Sequence, residues 1–415
     1  DLGAGKFYSL KGLIMENNYA ADGAGAINLW DNEKVEIIDS KFISNKSVTD
    51  GGAIYSWNTD SLFIKNSTFD GNESTDGNGG AITFKGDENS TLYCEIKNTT
   101  FENNSGGWGG AIAAFEPINM NIYSVFATGN KASGNGGFIT LCCGASVSIT
   151  NSTIYNNETN NNDLNGCSDC KMFVTNSIIW KDKIGGPSDA TIEITYSDIE
   201  GGWDGEGNID ADPHFIDAAN GDYHIGDYSP CIGAGVYSAQ FDDTWYYAPS
   251  TDLDGNPRPN PAGSMPDMGA YENPRATPQH APEPFELVFP SDNAHVGITR
   301  QNYLDTLYFA WNQAIDPDGD KVTYRRALTG DLQEYIKFIV PSDEETTTNM
   351  YRIPYHHIEH YMHTAGVEFV QGTWTIVASD GGMDTYASNG PFQLTIDASA
   401  YAVDDEAVLP ESFAL

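Results

Sequence analysis

The sequence predicts an all-β protein, a parallel β-helix solenoid followed by a small β-sandwich. Three observations carry this expectation. A Phe-x-x-Asn … Gly-Gly-Ala-Ile motif returns as "FISNKSVTDGGAI" (42–54), "FDGNESTDGNGGAI" (69–82) and "FENNSGGWGGAI" (101–112), and as the variant "FATGNKASGNGGFI" (126–139). Short alternating runs such as "LFIKNSTF", "CEIKNTTF", "VSITNSTI", "MFVTNSII" and "IEITYSDI" lead into the anchors. The repeat then stops at "NPRATPQHAPEP" (273–284), which has linker composition.

The apolar anchors are Ile14, Phe42, Phe69, Phe101, Phe126, Ile154, Ile179 and Ile199, spaced by 20 to 32 residues. Such periods mark stacked repeats. The runs before them are β-branched and period-two, bounded by Gly, Asn and Asp, which is strand-and-turn chemistry. No convincing helical periodicity occurs in the first 200 residues, which excludes a helical solenoid. A propeller blade needs about four strands in roughly 40–50 residues, too many for these units. One coil of a β-helix fits, and stacking eight or more coils sets equivalent residues about 4.8 Å apart.

Stacking gives each repeated letter a structural duty. Phe42, Phe69, Phe101 and Phe126 are expected to form an inward aromatic column, continued by Ile154, Ile179 and Ile199. Asn45, Asn72, Asn104 and Asn157 follow their anchors by three residues, while Asn130 follows Phe126 by four. Stacked asparagines pass amide hydrogen bonds from coil to coil and satisfy turn backbone. The pairs Gly51-Gly52, Gly79-Gly80, Gly109-Gly110 and Gly136-Gly137 supply positive φ or close backbone approach. The Ala-Ile that follows fills a narrow core.

After the Pro-rich linker (274–284), "FELVFPSDNAHV", "DTLYFAWNQAI", "KVTYRRAL", "GTWTIVASDGG" and "GPFQLTIDAS" read as the strands of a sandwich over 285–398, with Trp311 and Trp374 in its core. "YRIPYHHIEHYMHTAG" carries His356, His357, His360 and His363 at helical spacing, but no acidic companion motif marks a metal site there.

Composition narrows the function classes. The 415 residues include 59 acidic against 20 basic, a formal net charge of −39. A surface this acidic argues against nucleic acid and bare anionic membranes. It favours solubility, cation binding or a saline milieu. No apolar run approaches the roughly 18–20 residues of a membrane span. Asp1 opens inside patterned sequence, so any targeting segment is expected to lie outside this chain. Six cysteines are too sparse for a disulfide scaffold. Cys167-Ser-Asp-Cys170, with Cys142-Cys143, reads as a disulfide or buried thiols more readily than as a zinc site.

Three constellations are candidates for chemistry. Asp316-Pro-Asp318-Gly-Asp320 and Asp252-Leu-Asp254-Gly-Asn256 space hard oxygen ligands around a glycine turn, as calcium loops do, although neither continues into an EF-hand. Their bland reading is a solvated turn. Three residues after each Ala-Ile or Phe-Ile stand Trp30, Trp57, Lys85, Phe115 and Cys142. If that column faces outward, Trp30 and Trp57 make an aromatic step extended by Lys85, a platform for pyranose rings flanked by Trp108. Its bland reading is an inward or covered column. Catalysis is the third. "NTD" (58–60) echoes one polygalacturonase motif, but the companion segments are absent, and no Lys or Arg sits beside an obvious acidic trio. No catalytic residue is assigned.

The FxxN/GGAI alternation resembles the repeat of polymorphic outer-membrane adhesins and other bacterial right-handed parallel β-helix surface proteins. "YSDIEGGWDGEGNIDADPHF" (196–215), "GDYSPCIGAG" (226–235) and "TDLDGNPRPNPAGSMPDMGAYE" (251–272) resemble the closing segment of choice-of-anchor β-helix proteins. The resemblance covers about residues 1–273 and implies a right-handed coil, a C-terminal capping segment and a secreted or surface address. The second domain resembles fibronectin type III-like modules. "AVDDEAVLPESFAL" (402–415), within a tail from 399, resembles the lead-in to a type IX secretion sorting domain. The resemblance implies fold and address more than function; the rigid rod itself gives the expected function, a non-catalytic, adhesin-like protein that binds an extracellular polysaccharide or other cell-surface component. A polysaccharide lyase or hydrolase is the rival. A structural spacer or filament subunit, self-associating through an unpaired end coil, is the third reading.

Overall fold

A computed structural model describes residues 2–87, 92–335 and 346–403. It divides the chain into two compact units, Asp1–Pro278 and Gln279–Leu415. The first is a parallel β-solenoid. One face is a seven-stranded sheet running from Ile27–Trp30 through Ile54–Trp57, Ile82–Lys85, Ile112–Ala114, Ile139–Leu141 and Leu164–Gly166 to Ile184–Gly185. A five-stranded sheet of two-residue strands runs from Tyr19–Ala20 to Lys131–Ala132. The remaining faces belong to one bent fourteen-stranded sheet. All three sheets coexist over only part of the chain, so the solenoid has about six turns rather than eight or more.

The corners follow from backbone chemistry. The bend of the large sheet is made by Asp39, Asn66, Asn98, Asn151 and Asn176, all at positive φ, where Asn and Asp are tolerated best. The glycine pairs divide their labour. Gly79 has φ +61, whereas its neighbour Gly80 packs so closely that a Cβ would lie 2.1 Å from the Gly110 carbonyl oxygen. Positive φ and close approach are therefore both required, one by each glycine of the pair.

Inside, Phe42, Phe69 and Phe101 stack with ring centroids 4.8 and 5.0 Å apart. Two anchors depart from the expected column. Met15, not Ile14, pairs with Phe42, and Ile14 is exposed. Ala127, not Phe126, pairs with Phe101, and Ile154, Ile179 and Ile199 continue from it. Phe126 points to the other side of its strand and packs on Tyr223 at 4.7 Å. A one-residue shift in a strand changes the face, which alternation alone left open between Phe126 and Ala127. The shift also explains Asn130, which follows the true anchor by three.

The asparagine ladder is continuous. Asn18, Asn45, Asn72, Asn104 and Asn130 each donate from Nδ2 to Oδ1 of the next rung, at 2.7–2.9 Å, ending on Asn157. From Asn45 onward the second Nδ2 hydrogen goes to an anchor carbonyl one coil back, for example Asn72 to Phe42. A second ladder of hydroxyls runs beside the bend. Ser40 accepts from the Leu13 amide, Ser67 from Ser40, Thr99 from Ser67, Ser152 from Val125, Ser177 from Ser152 and Ser197 from Ser177. Its signal was the Ser or Thr after each bend asparagine.

The closing segment does two things. Residues 201–210 turn over the last rung, with Trp203 on the core and Asn208 Oδ1 accepting from the Ser197 backbone N–H. Residues 215–272 run along the side of the bent sheet. There Phe241 stacks on Phe173 at 5.2 Å, and Ile225, Cys231 and Met268 cover Ile178. At its centre Arg258 meets Glu272 at 3.2 Å with both side chains wholly buried. Arg258 also donates to the carbonyls of Asp267, Gly269 and Ala270.

The second unit has a three-stranded sheet (Leu287–Phe289, Thr306–Trp311, Met350–Pro354) and a five-stranded sheet containing Thr323–Leu328, Phe369–Ser379 and Phe392–Asp397. Trp311 from one and Trp374 from the other are buried in one shared core. The histidine-rich stretch forms the helix Tyr355–Ala365, which buries Ile358 and Met362 and ends at Gly366 in the left-handed conformation. The tail enters as the short helix Ser399–Val403, and residues 404–415, including most of the expected secretion lead-in, lie outside the described residues.

Candidate functional site

The seven-stranded sheet places the expected outward column in register. Trp30 lies beside Trp57, and Trp57 beside Lys85. Phe115 follows, with the Lys85 ammonium 5.5 Å from its ring centroid. Exposure falls along the column, from Trp30 at 39% to Cys142, which is buried. The indoles of Trp30 and Trp57 are 6.0 Å apart at 33°, and Tyr55 lies 5.4 Å from Trp30. The step is therefore open at Trp30, half-buried from Trp57 to Phe115 and covered at Cys142.

A second column runs along the turn before each glycine pair, and Asp50, Asn78 and Trp108 belong to it. The Asn78 amide nitrogens donate to Asp50 Oδ1 at 2.9 and 3.0 Å, and the Trp108 backbone N–H donates to Asn78 Oδ1 at 3.0 Å. Lys85 crosses from the first column to the second, its Nζ 2.5 Å from Asp50 Oδ2. Trp108 is exposed but lies against Gly134 on the turn column, so it does not join the Trp30–Trp57 step.

Between the columns, beside Trp30, opens a cleft of about 450 Å³ lined by Asp22, Asn28, Thr49, Asp50 and Tyr55. Burial, and then the charges of Asp50 and Asp22, push the Tyr55 phenol up to about 12. Tyr55 thus remains a neutral donor across ordinary pH. The cleft offers an apolar wall with several hydrogen-bonding groups.

The acidic loops are built differently from each other. Asp316 is buried, its Oδ1 accepting from the Asp318 and Asp320 amides at 2.9 and 3.1 Å, with no partner at Oδ2. Asp318 turns to His280 and Asp320 to Gln279. In the other loop Asp252 is buried and accepts from the Asn256 and Glu272 amides. Asp254 is exposed and meets His224 Nε2 at 2.8 Å. Among the described residues no three His, Cys, Asp or Glu side chains converge on a metal-sized position.

His224 was not singled out from the sequence. Asp222 holds its Nδ1 at 2.7 Å and Asp254 its Nε2. Burial works to lower its pKa, but the two carboxylates outweigh it and the net shift is upward. A ring clamped at both nitrogens is poorly placed as a general base. All six cysteines are free thiols. Cys142 and Cys167 occupy neighbouring rungs, where burial and then the contact with Cys167 push the Cys142 thiol upward. No helix among the described residues is long and apolar enough to cross a membrane.

A scan against protein-family models, a search of curated proteins and a search of solved structures each find no match to this chain. The likeness to surface β-helix proteins therefore rests on the repeat and closing motifs themselves.

Proposed function

We propose that this chain is a non-catalytic, adhesin-like protein of the cell exterior that binds glycans through the outer face of its solenoid. The observation that carries this reading is Trp30, exposed, tilted against Trp57 and opening on a polar cleft of about 450 Å³. A pyranose presents a CH face to an indole and hydroxyls to its rim, and Asn28, Thr49 and Tyr55 stand at the rim. The stacked ladders give the platform a rigid backing, so little ordering cost is left for binding. Secretion through a type IX route and fibronectin-like behaviour of the second unit belong to this proposal through the sequence likeness alone. Structural calcium belongs to it at the Asp316–Asp320 loop, because a buried carboxylate oxygen without a partner suits a cation. A rise in melting temperature on adding calcium, reversed by a chelator, is its test.

The test of the whole reading is incubation of the chain with neutral and acidic polysaccharides, with and without calcium, recording retention and new chain ends together. Retention without cleavage, lost in Trp30→Ala while the melting temperature holds, is the expected result. Calcium-dependent new ends would replace binding with a lyase or hydrolase. Silence in both channels, with ordered self-association, would leave the spacer role.

A further inference from the structure

The aromatic step is flanked by acid on both sides. Asp22 and Asp50 line the cleft beside Trp30. Asp31 and Asn58, the residues directly after Trp30 and Trp57, line a second cleft of about 270 Å³ together with Glu33, Asp60 and Asp87. Neither lining includes a Lys, Arg or His. Of the nearby cations, Lys85 is engaged on Asp50 at 2.5 Å and Lys34 on Glu36 at 2.7 Å, while Lys6 stands exposed beside Glu33 on the neighbouring strand. Asn58 Nδ2 bridges Asp31 and Asp87 at 3.2 and 2.9 Å, which holds those carboxylates close to one another. Asp22 is exposed and accepts the Gly23 amide at Oδ1 at 3.0 Å.

We propose that the Trp30–Trp57 step selects a cationic amino sugar, a glucosamine-type residue with a free amine, over neutral sugars and uronates. The inference rests on the glycan reading above and adds a charge preference to it. The indole face accepts the pyranose ring and also attracts an ammonium through its quadrupole. The carboxylates of Asp22 in one cleft and Asp31 in the other would each receive an ammonium of such a chain. A uronate would bring its carboxylate among at least six of like charge, with Lys6 as the one exposed cation beside them among the described residues. Repulsion of that kind sets specificity as much as attraction does. A chain with net charge −39 reinforces the preference over a longer range, within the limit that salt screening sets.

The test is calorimetric titration of the full chain with hexamers of glucosamine, N-acetylglucosamine and glucose, and with polygalacturonate. It is run with chelator present, at mildly acidic pH, at low and at moderate salt. The glucosamine hexamer is expected to bind roughly tenfold or more tightly than either neutral hexamer. The advantage should shrink as salt rises and fall several-fold in Asp22→Asn or Asp31→Asn. Asp189→Asn, in the exposed turn before Thr191–Thr195, serves as the charge control and should change little. Equal binding of charged and neutral hexamers would overturn the charge selection while leaving the glycan platform standing. Preference for polygalacturonate would overturn it outright. No binding by any of the four, in a folded protein, would remove the glycan reading and this inference with it.

Discussion

Phe138 stands where Ala127 leaves the aromatic column without a ring. Ala127 is the rung above Phe101, and the Phe138 ring reaches Phe101 edge-on at 6.0 Å from the opposite strand. On the facing column Ala53, Ala81 and Ala111 precede Phe138 in register. A large and a small residue have thus changed places across the lumen, keeping its volume filled. Interiors are packed densely enough that such exchanges must be reciprocal.

Phe138→Ala is expected to leave a cavity at that level and cost about 3–5 kcal/mol of stability. Ala127→Phe in the same chain should recover much of the loss by restoring the pattern of the neighbouring coils. Chemical denaturation of the single and double variants measures the coupling. If the two changes simply added, the exchange would not be reciprocal.

The asparagine ladder ends on an acid. The Asn157 backbone N–H donates to Asp182 Oδ1 at 3.0 Å, while Asp182 Oδ2 is buried with no partner. Burial, then the charge of nearby Asp163, raises the Asp182 pKa well above the usual range. Burial also pushes Asp163 up to about 6, against the Lys183 backbone bond and charge, with Glu158 adding to the rise. Acids raised in the native state favour folding when protonated, so their contribution is full below about pH 4; that of Asp163 is lost as pH climbs through about 6, and that of Asp182 as pH climbs beyond the usual carboxylate range. Asp182→Asn puts an amide where the other rungs have one, with the Ile154 carbonyl as its expected acceptor. The variant should gain on the order of 1–3 kcal/mol at neutral pH and lose its advantage in acid. Thermal melts across that range decide it, and a wild type whose stability is flat with pH would count against the buried acid pair.

Arg258→Ala strands Glu272 in the closing segment without its partner. Removing one member of a buried ion pair costs about 3–5 kcal/mol. The expected result is early loss of the packing over Phe173 and Ile178, visible as proteolysis within 215–272 before the solenoid core is cut. Glu272→Gln, which keeps the shape but removes the charge, should show the same order of loss.

Gly80→Ala tests the close approach of coils. A Cβ there meets the Gly110 carbonyl and the Ser105 backbone at 2.1–2.4 Å, so the coils must separate. Loss of soluble folded protein, or a fall of several kcal/mol, is expected. An unchanged melting temperature would show that neighbouring coils can slide apart freely.

The candidate site was only partly legible. Trp30, Trp57 and Lys85 were placed in one column by counting from each Ala-Ile, and the structure puts them in register. Trp108, read from the sequence as a turn residue flanking the step, belongs to the turn column of Asp50 and Asn78. The Lys85–Asp50 bond joins positions 35 residues apart, on different columns, and no local pattern announces it. The partners of the acidic loops were equally hidden, because His224 and His280 reach Asp254 and Asp318 from distant sequence.

What the sequence determined by itself was the repeat. Period-two strands, corner asparagines and paired glycines act locally, and once coils stack, identical letters must meet. What only the tertiary structure decided was which neighbour in a pair faces inward, Phe126 or Ala127, Ile14 or Met15. Alternation fixes the faces of a strand relative to each other, whereas the choice of face depends on the volume left by the opposite wall. That volume is a property of the closed coil, and Phe138 fills it only when the coil has closed.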